Sequence, residues 1–150
     1  MEIWQLTATE LRQKISKGEI SAREATESHL SRMDQINVKI NAVAQSCETE
    51  ALKEADLIDD QCLRGDELGA LAGVPVTVKI NVDQRGYATT NGLQLQKDLV
   101  ATIDNPVVNN LRKAGAIIIG RTNTPAFSLR WFTRNTCLLY TSDAADDVEC

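Results

Sequence analysis

Apolar residues recur at helical spacing through the first sixty positions and then gather into short unbroken runs. Leu6, Leu11 and Ile15 give one apolar side to a short helix. Thr7 followed by Glu10 is a capping box at its start, and Gly18 ends it. Ser21 with Glu24 is a second capping box, and Ile20 just before it is placed for a hydrophobic staple. Ala25, Leu30, Met33 and Ile36 keep near-helical spacing up to Asn37. After NVKINAVA a third helix is expected near Cys47–Asp60, with Ala51, Leu52, Ala55 and Ile58 inward and Glu48, Glu50, Lys53, Glu54 and Asp56 in solvent. QCLRGDELG then reads as a loop, broken by Gly65 and Gly69.

The middle of the chain reads as a β–α–β unit, which makes the fold class α/β. Val74, Val76 and Val78 mark a strand over Val74–Lys79, where Pro75 is tolerable at the first positions. A long connection follows, with Gly86, Gly92 and the polar cluster Thr89, Thr90 and Asn91. Asp104 or Asn105 before Pro106 starts a helix, with Val107, Val108, Leu111 and Ala114 expected inward and Gly115 as its stop. Ala116–Ile119 is a continuous apolar strand suited to the inside of a parallel sheet, reached by a right-handed return. Thr124 and Pro125 predict one more helix, with Phe127, Leu129 and Trp131 in the core.

Composition adds less. A chain of 150 residues has room for one modest domain. Its 16 basic residues face 21 acidic ones, but Asp143, Asp146, Asp147 and Glu149 lie in a final stretch without Lys or Arg. Without those four the charge is nearly balanced, and no basic cluster points to nucleic acid. Cys47, Cys62, Cys137 and Cys150 form no C-x-x-C pair, and His29 is the single histidine, so no metal is expected. His29 is read as packed or solvated, Cys47 as a packing residue, and Cys62 as a surface or packing thiol. The polar start MEIWQLTATEL holds no apolar leader, and no run reaches the length of a membrane span. A cytoplasmic protein without membrane contact is expected.

Lys79 is the candidate catalytic residue. It ends an apolar strand, where a lysine charge is poorly tolerated without a partner. An ordinary lysine amine is neutral in only about one molecule in 2,500 at pH 7, so a lysine serving as a base needs a burying environment. A lysine that simply caps its strand in solvent is the competing reading.

The words around it decide between the two. LAGVPVTVKINVDQRGYATTNG (Leu71–Gly92) and VVNNLRKAGAIIIGRTNTPAFS (Val107–Ser128) closely resemble the amidase signature family. Its members are hydrolases and amidotransferases acting on carboxamide C–N bonds. The first family block runs G-[IV]-P-x-x-V-K-[DEIV]-[NS], and the second, R-x-A-G-A-[IV]-x-x-G-[KR]-T-[NS], is met without a break from Arg112 to Asn123. The resemblance covers Ile3 to Asn135 and implies the N-terminal part of the amidase-signature fold: N-terminal helices plus the start of a mixed, largely parallel central sheet covered by helices. It places Lys79 in a Ser–cisSer–Lys triad. The lysine takes a proton from a serine held in a cis peptide, that serine deprotonates the nucleophilic serine, and an acyl-enzyme forms and is hydrolysed. The substrate implied is a small-molecule amide, with no cofactor, no metal and no direct nucleic-acid contact. A homodimer stays open for the full-length parent. The substrate-binding residues stay unknown.

Four departures accompany the match. Ile80 stands where many members carry an acid, and PAF replaces the more frequent PEF. The Gly-Gly-Ser-Ser-Gly-Gly loop is missing: Ser16, Ser21, Ser28, Ser31, Ser46, Ser128 and Ser142 all lie outside glycine-rich loops, and none stands three residues before a lysine. Ser128 is read as structural, within the last predicted helix. The final stretch TCLLYTSDAADDVEC matches nothing in the family and looks like translated adapter read-through. We therefore expect residues 1–135 to be the N-terminal portion of a longer amidase domain, with 136–150 an unrelated disordered or artefactual tail. A genuine short paralogue with an acidic tail is the alternative. Within the family, the amidotransferase component that supplies ammonia to glutamyl-tRNA is a second reading, although TNTPAFSLRWF is closer to general amidases. A non-catalytic α/β binding module is a third. The 150-residue chain on its own is expected to lack amide hydrolysis and to bind hydrophobic dyes. Measurable turnover that Lys79→Ala abolishes would contradict this.

Overall fold

A computed structural model describes residues 2–133. Along them run α1 (Ala8–Ser16), α2 (Ala22–Ile40), β1 (Val43–Ser46), α3 (Glu48–Arg64), β2 (Pro75–Lys79), α4 (Pro106–Lys113) and β3 (Ile117–Thr122). Short 3-10 turns lie at Ile3–Gln5, Gln94–Gln96 and Ala126–Ser128. None of the described helices is long and apolar enough to cross a membrane.

Both capping boxes form. The Thr7 and Ser21 hydroxyls accept from the backbone N–H of Glu10 and Glu24, and each glutamate carboxylate accepts in return from the cap residue's own N–H at 2.8 Å. These hydrogen bonds hold both carboxyls below the ordinary glutamate range. Asp59 of α3 also accepts from the Ala22 and Arg23 N–H groups at 2.6 and 3.0 Å, which pins the start of α2 to α3. Ala22, Ala25, Ala51 and Ala55 are fully buried, and their small side chains let these two helices approach closely.

α3 runs to Arg64, so Gln61–Arg64 are helical where the sequence predicts a loop. Ile58 and Cys62 carry the inner stripe one turn further, and the Cys62 thiol reaches the Ile15 carbonyl at 3.5 Å. β1 is an element that the sequence pattern does not reveal. Only Val43 is partly covered, and its next three residues are exposed. What starts the strand is Asn37 on α2, whose side-chain amide bonds both the N–H and the C=O of Val43 at 2.8 Å.

The sheet order is β1-β3-β2, with β3 antiparallel to β1 and parallel to β2. Ile117 through Arg121 on the central strand are all buried, as the continuous apolar run requires. One face carries Leu11, Ile15, Leu30, Met33, Ile58, Ile117 and Ile119 against α1–α3, and the other packs Cys47, Val78, Val108 and Ile118 under α4. α4 starts as expected, with Asn105 accepting from the Val107 N–H at 2.9 Å and Pro106 in its first turn. Val107 itself points outward, 59% exposed, because it neighbours buried Val108 and successive helical residues lie about 100° apart.

No helix follows Pro125 within the described residues. Only the turn Ala126–Ser128 forms, and Phe127, Leu129 and Trp131 are exposed rather than core, since no described element packs over them. The tail 136–150 lies outside the described residues.

The register of β2 on β3 is set by the turn that precedes β3. Leu71 and Gly73 donate to the carbonyls of Ala114 and Gly115 at 2.8 and 3.0 Å, and the Ile117 N–H donates to Val74 at 2.9 Å. Gly115 has φ +83°, and a Cβ there would lie 2.8 Å from the Ala72 Cα. Gly65 has a similar φ of +72° with open space around it. Gly65→Ala should therefore cost about 1–2 kcal/mol for the left-handed backbone alone. Gly115→Ala should cost clearly more in the same urea or thermal unfolding series, and equal losses would refute the close-approach account.

Candidate active site

β2 alternates by the ordinary strand rule, so buried Val78 faces the α4 side while Thr77 and Lys79 face the other. Lys79 is exposed at the carboxyl end of the strand, beside its register partner Thr122. No hydrogen bond or ion pair engages its amine among the described residues. Its carbonyl accepts from the Val82 N–H at 3.0 Å, and the Ile80 N–H donates to the Thr122 carbonyl at 3.0 Å, so the chain turns immediately after the lysine. Ligands of open α/β sheets gather at the carboxyl ends of parallel strands, which is where this lysine stands.

A polar cluster forms beside that turn. Asn81 Nδ2 donates to Ser128 Oγ at 3.0 Å, and Ser128 Oγ lies 2.6 Å from Thr124 Oγ1. With Asn81 as donor, the Ser128 proton can go to Thr124. Asn81 Oδ1 is buried and takes no hydrogen bond among the described residues. Phe127 and Ser128 hold φ of +54° and +58°, a left-handed pair of non-glycine residues. Such backbone costs about 1–3 kcal/mol per residue and gathers at functional sites. The Phe127 N–H is held by the Asn91 carbonyl at 2.8 Å, and Asn91 is itself left-handed at φ +50°. The sequence pattern puts Ser128 in a helix interior, and the structure places it instead in a strained turn tied to the residue two beyond Lys79.

Arg121 is the charged residue that sequence reasoning missed. It lies one position past a glycine at the end of an apolar run, where an arginine reads as surface, yet it is fully buried. The signal for it is the [KR] position of the second family block. Burial pulls its guanidinium down from the ordinary arginine value, and Cys47, Tyr87 and Asp83 oppose that shift. The guanidinium carbon sits 5.5 Å from the Tyr87 ring centroid.

The remaining candidates stand apart from this cluster. Cys47 is buried at the start of α3, with Gln84 Nε2 at 3.8 Å from its sulfur. Burial pushes its thiol up, and side-chain hydrogen bonding with Tyr87 and Gln84 partly offsets this. The Tyr87 hydroxyl, donating to Glu50 at 3.0 Å, is pushed up mainly by burial as well. His29 is half-buried, with Nδ1 2.7 Å from the Ala25 carbonyl. It lines an apolar cavity of about 200 Å³ between α2 and the sheet, walled also by Trp4, Met33, Val43, Thr77 and Ile119. Lys79 is not among the residues that wall that cavity. No cluster of His, Cys, Asp and Glu among the described residues is arranged to hold a metal.

The Amidase family matches residues 24–148. The chain is 48% identical over 149 residues to an indoleacetamide hydrolase of Bradyrhizobium diazoefficiens, a match covering 99% of this chain and 28% of that protein. It is 32% identical over 146 residues to a component of the glutamyl-tRNA(Gln) amidotransferase of Alkaliphilus metalliredigens, covering 97% of this chain and 30% of that one. Among solved structures it superposes with a TM-score of 0.88 and 33% identity on a chain described in work on a vestigial protein complex and the origins of an s-triazine catabolic enzyme. That match covers 91% of this chain and 30% of the other. The chain thus spans less than a third of the length of the proteins it matches.

The two described cysteines should separate chemically. Iodoacetamide at pH 8 should alkylate half-exposed Cys62 at least about tenfold faster than Cys47, whose burial and raised pKa both leave little reactive thiolate. Raising the pH should speed Cys47 until its raised pKa is passed. Peptide mapping that shows equal labelling of the two would contradict this environment for Cys47.

Proposed function

The chain belongs to the amidase signature family, and from that membership we propose that the protein it forms part of hydrolyses the C–N bond of a small carboxamide, with Lys79 as its base. The observation that carries this reading is the place of Lys79. It stands exposed at the carboxyl end of β2, directly beside the unbroken second family block on β3.

In this mechanism the neutral Lys79 amine accepts a proton from a bridging serine. That serine takes the proton of the nucleophilic serine, whose oxygen attacks the amide carbonyl. The C–N bond breaks, the leaving nitrogen receives a proton, and ammonia departs. Water then attacks the acyl-serine and releases the carboxylic acid. Both serines are assigned to the part of the protein outside these 150 residues, and its packing over the exposed strand end would give Lys79 the water-poor surroundings a neutral lysine needs. Asn81, Ser128 and Thr124 would then floor the site beneath the lysine.

The 48% identity to an indoleacetamide hydrolase favours a primary amide on an aromatic side chain as substrate. Components of glutamyl-tRNA(Gln) amidotransferases match at 32–35% identity, and this supports glutamine hydrolysis coupled to glutamyl-tRNA as the second reading. Ammonia release by the whole protein from indole-3-acetamide and from glutamine separates the two. The arylacetamide should be turned over and glutamine should not. Lys79→Ala should lower the rate about 100- to 10,000-fold, the range for loss of a general base. An unchanged rate in Lys79→Ala would remove the proposed role.

A further inference from the structure

We propose that Arg121 is the positioning residue of this site: it ties the backbone that follows Lys79 into one conformation and so fixes where the lysine amine points. The proposal rests on the reading of Lys79 as the base. Two irregularities in the sheet aim Arg121. Between β2 and β3 the register steps from Val76↔Ile118 to Thr77↔Gly120, which leaves Ile119 as an extra residue. Between β1 and β3 it steps from Val43↔Thr122 to Gln45↔Arg121, which leaves Ala44 extra. Strict alternation would put Arg121 on the face of Ile117 and Ile119. With the bulge, Gly120 lies against Val43 and Met33 instead, and Arg121 turns to the Val78 and Tyr87 side.

The bonds of its guanidinium converge on one segment. Nη2 donates to the carbonyls of Val82 at 2.9 Å and Ile80 at 3.3 Å, and Nη1 donates to Ala88 at 2.7 Å and to the Gln45 side chain at 3.4 Å. Three of the four acceptors lie in the connection that begins immediately after Lys79. No carboxylate pairs with Arg121 among the described residues, and its Nε is buried without a partner. A buried cation held by carbonyl dipoles is costly to desolvate, and an apolar residue would fill this space more cheaply. What an apolar residue cannot do is hold Ile80, Val82 and Ala88 together with a rigid planar fork. A lysine carries its donors on a single nitrogen and does not reproduce the planar spread of that fork.

The test uses the intact enzyme and four variants: Arg121→Lys, Arg121→Met, Val108→Ala as a buried control outside the site, and Lys79→Ala. Arg121→Lys should lower kcat about 100-fold, the scale of a misplacement near one ångström. The acid limb of its kcat–pH profile should move to higher pH, because an amine turned toward water keeps its proton more tightly. Val108→Ala should lower the melting temperature and leave that limb in place. If Arg121→Met does not fold, Arg121→Lys carries the test. A kcat for Arg121→Lys within about twofold of the parent, or an unmoved acid limb, overturns the positioning role. Full activity in Lys79→Ala would remove the reading beneath it. An inactive Lys79→Ala beside an unaffected Arg121→Lys would remove the positioning role alone.

Discussion

The parallel pairing of β2 with the buried central strand β3 is the constraint on which the rest depends. It sets Lys79 opposite Thr122 and so places the lysine at the carboxyl end of the pair. The pairing is secured before β2 begins, where Leu71 and Gly73 bond the turn that ends α4. That turn needs Gly115, since any side chain would meet Ala72. Arg112, half-buried, joins Glu54 of α3 and, at 3.4 Å, Asp104, which also accepts from the Arg85 N–H. α3, α4 and the connection after β2 are thereby fixed to one another.

The helices were legible because their signals are local. Both capping boxes, the inner stripes of α1 to α3 and the Asn105–Pro106 start of α4 lie within a few residues of one another in sequence, and each formed. The misses come from contacts distant in sequence. β1 depends on Asn37 bracketing Val43 and on pairing with a strand some seventy-five residues further on. The helix expected after Pro125 rests on apolar residues at plausible spacing, yet helices without a packing partner are marginal, and among the described residues none packs over Phe127 or Trp131.

The candidate site was legible in part. The block containing Lys79 forms β2 as the apolar alternation predicts, and both family blocks lie side by side on β2 and β3. Arg121 and the strained Phe127–Ser128 turn were not visible, for different reasons. Whether an arginine after a glycine is buried depends on a bulge, because one extra residue reverses every later side chain in the strand. The left-handed turn follows from bonds to Asn81, Thr124 and Asn91, two of which lie more than thirty positions away.

The role proposed for Lys79 is to drive formation of an acyl-enzyme. Rapid-quench intact-mass measurement of the whole enzyme mixed with indole-3-acetamide tests it most directly. The account predicts an adduct of the acyl mass within the first turnovers of the parent enzyme, with none on that time scale in Lys79→Ala. Acylation of Lys79→Ala at the parent rate would contradict it.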